Sequence, residues 1–199
     1  SKIFTGLGLI CNQTGRENES VNFFKKALKI NPLDEIALNN LGLIFFKNKK
    51  HKEAKEYFLD AIKLFKNAKT YFYLGQIYTE LNNYNKAINN FHESIKINDS
   101  AEALCNLGNL LYLKGDIKDA TKYTNLAIKK NPVMDAAYNN KGLIYLANGQ
   151  INKAKSNFMQ AIKINKNNFR AYYNLSSVSN YFQNKRNLKE LLSLLKSSQ

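Results

Sequence analysis

Four asparagines recur at one phase of a repeating register: Asn40, Asn106, Asn140 and Asn174 each stand one residue before a Leu–Gly pair or its equivalent. A carboxamide carries a donor and an acceptor together, the same pair that a peptide unit offers. A ladder of such groups suits an extended chain held by its backbone, without a reading of its sequence. Third and first units break the ladder with Tyr73 and Gly6. Neighbouring phases carry Asn109, Phe72, Tyr112, Leu143 and Tyr173. Together these describe a polar and aromatic lining with room for apolar contact.

No other constellation points to chemistry. His51 and His92 lie in different units, and neither has a Cys, His or acid at ligand spacing. Both read as surface residues, and no metal site is expected. Cys11 takes an aromatic phase and reads as a small core hydrophobe. Cys105 is expected to face the inner, ligand-bearing surface. Three repeats of stacking separate the two thiols by more than disulfide reach, which fits a reducing, cytoplasmic location. The glycines are too sparse for a phosphate loop and fall inside helices, so no cofactor is expected. Glu17, Glu19, Asp116 and Asp119 sit near helix starts, where carboxylates suit the macrodipole. No catalytic residue emerges, and the chain reads as a non-enzyme.

What must position these residues is a repeat. Gly8, Gly42, Gly75, Gly108 and Gly142 lie one repeat apart, with Gly15, Gly115 and Gly149 seven residues behind three of them. Pro32 and Pro132 close the first and fourth units. The register divides the chain into units 1–34, 35–67, 68–100, 101–134, 135–168 and 169–199. Each unit begins with apolar residues at helical spacing, such as Leu104, Leu107 and Leu111. A Gly or Asn turn follows, suited to the left-handed position after a helix. A second helix then presents Ala54, Phe58, Ala61 and Ile62, or Ala154, Phe158, Ala161 and Ile162, on one face. The small phases let paired helices approach, and the aromatic phase (Phe24, Phe58, Phe91, Phe158) fills the space between them. A large side chain at Gly108 is expected to overpack the pair by ~1–3 kcal/mol. A period of this length means a stacked array in which each unit buries its face on the next.

The pattern resembles the tetratricopeptide repeat over essentially the whole chain. Unit four carries it as Leu107, Gly108, Gly115, Ala120, Ala127 and Pro132; unit three as Tyr71, Leu74, Gly75, Tyr78, Ala87 and Phe91. The resemblance implies an all-α fold, a right-handed α-solenoid of about six helix-turn-helix units forming a single domain over 1–199. The sixth unit is a degenerate cap, with Leu188, Leu191, Leu192 and Leu195 as an amphipathic stripe. In the family the first helices line the concave face. Phe72, Tyr112, Leu143, Tyr173 and the asparagines then form a peptide-binding groove, and the partner is an extended peptide or protein. The asparagine phase resembles the ladder of the O-linked N-acetylglucosamine transferase superhelix. A carboxylate clamp like that of chaperone-binding relatives is not expected: Asn109, Asn140 and Arg170 match it, but Cys105 and Asn174 replace the other cations.

Two alternatives stay open. The stretch from Asn174-Leu175-Ser176 to Leu195-Lys196 is similar to the segment before the catalytic part of bacterial tetratricopeptide–sulfotransferase fusions. That likeness implies a substrate-recruiting region of a larger glycosyl- or sulfotransferase-type enzyme. The other is nucleic-acid binding. The chain has 199 residues and a formal net charge of +15, nearly all of it from Lys. Most lysines fall on second helices and read as a solvated outer face. Asn is as frequent as Lys and Arg together, the mark of an AT-rich genome rather than of a ligand. Arg, the usual reader of bases, is confined to Arg16, Arg170 and Arg186. Apolar runs are all interrupted, so no membrane span is expected. The sequence opens on Ser1 at the first phase of a repeat and reads as a processed piece. Unfinished solenoid ends also suggest self-association.

Overall fold

The computed structural model describes residues 1–178, 192 and 193. Eleven helices pair in order among the described residues: α1 (Lys2–Gln13) with α2 (Glu17–Ile30), α3 (Glu35–Lys47) with α4 (His51–Leu64), α5 (Ala68–Glu80) with α6 (Tyr84–Ile97), α7 (Ala101–Leu113) with α8 (Ile117–Lys130), and α9 (Asp135–Ala147) with α10 (Ile151–Ile164); α11 (Phe169–Val178) follows. They fall into two compact units, Ser1–Asp99 and Ser100–Gln199. The fold is all-α and repetitive, as the register implies. The amphipathic stripe expected of the cap lies outside the described residues, apart from an exposed Leu192.

Local chemistry sets each helix boundary. Asp34, Asn67, Asn83, Ser100 and Asp116 cap their helices by accepting a backbone N–H from the first turn, which fills one of the donors a helix start leaves open. Just past the C-cap of each of these first helices stands a residue with positive φ: Gly15 (75°), Asn82 (56°), Gly115 (81°), Gly149 (69°) and, unexpectedly, Lys49 (58°). Lys49 takes the left-handed turn position without a glycine's freedom, a strain the hairpin packing holds in place. Second helices end where Asn31, Phe65, Asn98, Asn131 and Asn165 turn extended. This happens with or without a following proline, so Pro32 and Pro132 reinforce a stop that the fold makes anyway.

In the first unit a Cβ placed on Gly8, Gly42 or Gly75 would come within 2.7, 2.6 and 2.7 Å of the rings of Phe24, Phe58 and Phe91. One edge of the ring closes on the glycine, and no side chain fits beneath it. Gly142 meets Phe158 in the same way. Gly108 differs, because its partner at the aromatic phase is Thr124, whose Oγ1 would stand 2.6 Å from the added Cβ. Buried Ser20 donates from Oγ to the Gly8 carbonyl at 2.8 Å, which binds α2 to α1 where a larger residue would hold them apart. Within each compact unit the described second helices also press their faces on the next first helix. Phe24 and Ala27 join Ala37, Leu41 and Ile44 in one core cluster; Ala54 and Phe58 join Leu74 and Ile77; Ala154 and Phe158 join Leu175.

Candidate functional site

Helices α1, α3 and α5 lie in sequence order through the first unit, and α7, α9 and α11 through the second. Polar rungs tie them side to side. In the first unit Thr5 Oγ1 donates to Asp34 Oδ2 at 2.6 Å, and Thr70 Oγ1 donates to Asn39 Oδ1 at 2.6 Å. In the second, Asn140 Nδ2 donates to the Cys105 carbonyl at 3.2 Å, with Cys105 Sγ at 3.3 Å. Asn174 Nδ2 donates to Asn139 Oδ1 at 2.9 Å. Lower down, Asn165 Nδ2 and Asn168 Nδ2 both donate to Asp135 Oδ2, at 2.9 and 2.8 Å. That pair binds the loop before α11 to the first turn of α9.

The asparagine phase therefore divides. Asn40 bonds back to its own helix, Nδ2 to the Ile36 carbonyl at 2.8 Å. Asn140 is 8% exposed, and its amide is spent on α7. Asn174 is half-buried and spends a donor on α9. Asn106 is half-buried, and no hydrogen bond of its side chain is formed with the described residues. Asn109, one turn further along α7, is alike on both counts. Tyr112, a turn beyond, and Leu143 on α9 are half-buried, while Tyr173 on α11 is 73% exposed. Phe72 is half-buried in the first unit, edge-on to Tyr73 at 5.6 Å and to Phe91 at 5.8 Å.

Two features escaped the sequence reading. One is the rung-forming role of the first member of each doublet in Asn39-Asn40 and Asn139-Asn140. Asn39 and Asn139 supply the acceptors for the rungs, and the doubled residue was the available signal. The other is an aromatic chain in the first unit. Tyr73 stacks on Phe58 at 5.6 Å and 7°, and Phe46 packs on Tyr73 at 5.1 Å. Tyr73 holds the very phase at which the second unit has its asparagines.

Cys105 corrects an expectation. It is 6% exposed, covered by the Asn140 amide, and not open to the inner surface. Burial, with the nearby charges of Asp135 and Glu102, pushes its thiol up to about 12. It stays protonated and unreactive at neutral pH, since the thiolate is the nucleophile. Among the described residues no group of three or more His, Cys, Asp or Glu is placed to hold a metal. No helix among them is long and apolar enough to cross a membrane.

Comparison with known proteins agrees with this architecture. Sequence models of the tetratricopeptide repeat match residues 33–100, and also 1–32, 101–133 and 135–168. A curated relative is Anaphase-promoting complex subunit 3 of Schizosaccharomyces pombe, 34% identical over 88 residues. That match takes in 44% of this chain but 13% of the relative's length. Among solved structures, Pseudomonas aeruginosa pilF superposes with a TM-score of 0.78 at 18% identity, over 98% of this chain and 90% of that one. YrrB, described as a TPR protein with an unusual peptide-binding site, gives 0.76 at 20% identity, over 85% and 89% of the two chains. At such identities the likeness is one of fold.

Proposed function

This chain belongs to the tetratricopeptide repeat family and is by that membership a protein–protein interaction scaffold, and we propose that its first helices grip an extended peptide segment of a partner protein. The observation that carries the reading is the stripe on α7. Asn106 and Asn109 hold side-chain amides that the described structure does not use, with Tyr112 beside them. A half-buried amide with no internal partner gains from a ligand's peptide group what it otherwise takes from water. Leu143 on α9 and exposed Tyr173 on α11 add apolar contact area, and aromatic anchors of this kind dominate binding energy at interfaces. Asn140 and Asn174 contribute at one remove, by fixing the spacing of the helices that carry the contacts. In the first unit Asn40 and Phe72 stand at corresponding phases and extend the same reading there.

The ligand requirement is loose by construction. Amides hold backbone, and backbone is common to every sequence; selectivity then falls to what meets Tyr112, Leu143 and Tyr173. YrrB's peptide-binding site supports peptide binding as something the fold can do, while the residues that argue for it here are this chain's own. The curated relative is a subunit of a complex, which supports a working place within a protein assembly. The test is partner capture by the wild-type protein against Asn106→Ala/Asn109→Ala, with thermal unfolding measured in parallel. Loss of partners at unchanged melting temperature supports the groove. Undiminished capture removes it.

A further inference from the structure

The second helices carry most of the lysines, and among the described ones α2, α4, α6 and α8 each carry at least one acid as well. From residue 136 to residue 189 the chain has no Asp or Glu at all. Helix α10 lies wholly inside that stretch and has Lys153, Lys155 and Lys163 with no acid on it. Three cations elsewhere have acids close by: Arg16 with Glu19, Lys63 with Asp60 and Lys96 with Glu93 each form an i,i+3 ion pair. Composition bias accounts for abundant lysine. It does not account for the missing acids, since lysine is as plentiful on α2 and α4, where Glu17, Glu19, Glu53, Glu56 and Asp60 accompany it.

Geometry sharpens the charge. Lys155, Met159 and Lys163 follow each other at i, i+4 and i+8 and so share one stripe of α10. The rise of 1.5 Å per residue puts the two lysine Cα atoms about 12 Å apart, with the methionine midway. Met159 is 60% exposed, where a solvated face would place a polar residue. The stripe borders an open depression of ≈ 500 Å³, to which Asn152, Ser156 and Gln160 add polar groups. The methionine is a flexible, adaptable apolar contact of the sort used at binding surfaces.

We propose that this face of α10 docks an acidic segment of a partner protein in which an apolar residue lies between two carboxylates. In an extended chain residues i, i+2 and i+4 point to one side at about 3.3 Å per residue. A Glu-x-Leu-x-Glu sequence therefore spans about 13 Å between its acids, the lysine spacing, and sets its leucine on Met159. Phosphate-bearing partners fit less well. Bidentate recognition of phosphate favours Arg, which α10 lacks, and a nucleic-acid backbone leaves the methionine without a counterpart. A bilayer surface asks for a broad apolar face, and here one methionine stands alone. The site is on the second helix α10 and is separate from the groove proposed above; neither depends on the other.

The probe is a fluorescein-labelled Ser-Glu-Ser-Leu-Ser-Glu-Ser peptide, followed by anisotropy at low salt. A peptide of the same composition with both glutamates at one end serves as control. Wild-type protein should bind the first peptide severalfold more tightly than the control. Lys155→Gln/Lys163→Gln should weaken it by about tenfold, and Met159→Ser should erase the preference between the peptides. Lys25→Gln/Lys29→Gln on α2 should leave affinity within about twofold. Equal binding of the two peptides, or equal loss in both lysine double variants, overturns the proposal. So does tighter binding of a duplex oligonucleotide or of phosphatidylserine vesicles that is lost with Lys155 and Lys163. An absence of peptide binding also overturns it.

Discussion

The first compact unit and the second use one backbone register for two chemistries. At the phase before Leu–Gly the first unit ends with Tyr73, wedged against Phe46, Phe58 and Phe72. The second has Asn106, Asn140 and Asn174 at that phase, two of them bonded across to the preceding first helix. Between paired helices the contrast repeats. Phe24, Phe58 and Phe91 fill the first unit, whereas in the second that phase is held by Thr124 in one helix pair and Phe158 in the next, the buried Thr124 hydroxyl without a hydrogen bond among the described residues. The helix-pair geometry tolerates both because glycine and alanine set the approach; what lies above them is free to vary. Aromatic packing is non-directional and spends the whole side chain on stability. An amide bonded through one donor still has a second hydrogen and an acceptor. The second unit therefore presents carboxamides at this phase of its first helices, where Tyr73 presents a packed ring with a single hydroxyl.

The largest test of this contrast removes a ring. Phe58→Ala should cost about 3–5 kcal/mol, read by urea denaturation, and hydrogen exchange should localise the loss to the first unit. A loss spread evenly over both units would contradict their separate cores. Next comes the rung. Asn140→Ala should destabilise by about 1–2 kcal/mol, while Asn106→Ala should stay within about 0.5 kcal/mol of wild type. Equal losses would mean that the asparagine phase has one role and not two. Thr124→Val, which swaps an unpartnered hydroxyl for a methyl, should stabilise by about 1 kcal/mol. A destabilised variant would show that the hydroxyl is bonded in solution.

The last effect is one of pH and emerges only in alkaline solution. The Cys105 thiol is raised by burial to about 12, above its value in the unfolded chain, about 8.5. For an acid raised on folding, the unfolded chain loses its proton first. Stability is therefore undisturbed below about pH 8.5 and declines as pH climbs from there toward 12. Urea midpoints measured upward from pH 8 should fall more steeply for wild type than for Cys105→Ala. Native protein at pH 8 should also react slowly with a thiol reagent at this position. Fast labelling of folded protein would place the thiol on the surface, as the sequence had suggested.

Much of the fold is legible in the chain because glycine, alanine and phenylalanine at fixed phases admit few packings. The turns are nearly so, with Lys49 the exception: its neighbours impose a φ that its own side chain disfavours. The candidate site is less legible. A phase tells which face of a helix a residue occupies, but not whether its amide turns outward or into the next helix. Asn106 and Asn140 are indistinguishable by phase, and only the packing of α9 on α7 separates them. Cys105 was misread for the same reason, since the Asn140 side chain that covers it arrives from another repeat. The missing acids of α10 are legible in the sequence, but only the helix shows that Lys155, Met159 and Lys163 share one stripe.

The most direct measurement is quantitative partner capture by wild type, Asn106→Ala/Asn109→Ala and Asn140→Ala, each with its melting temperature. The account predicts that the α7 double variant keeps its stability and loses partners, whereas Asn140→Ala loses stability first and partners only in proportion. Full capture by the double variant, with its fold intact, would contradict the claim that the first helices hold the ligand.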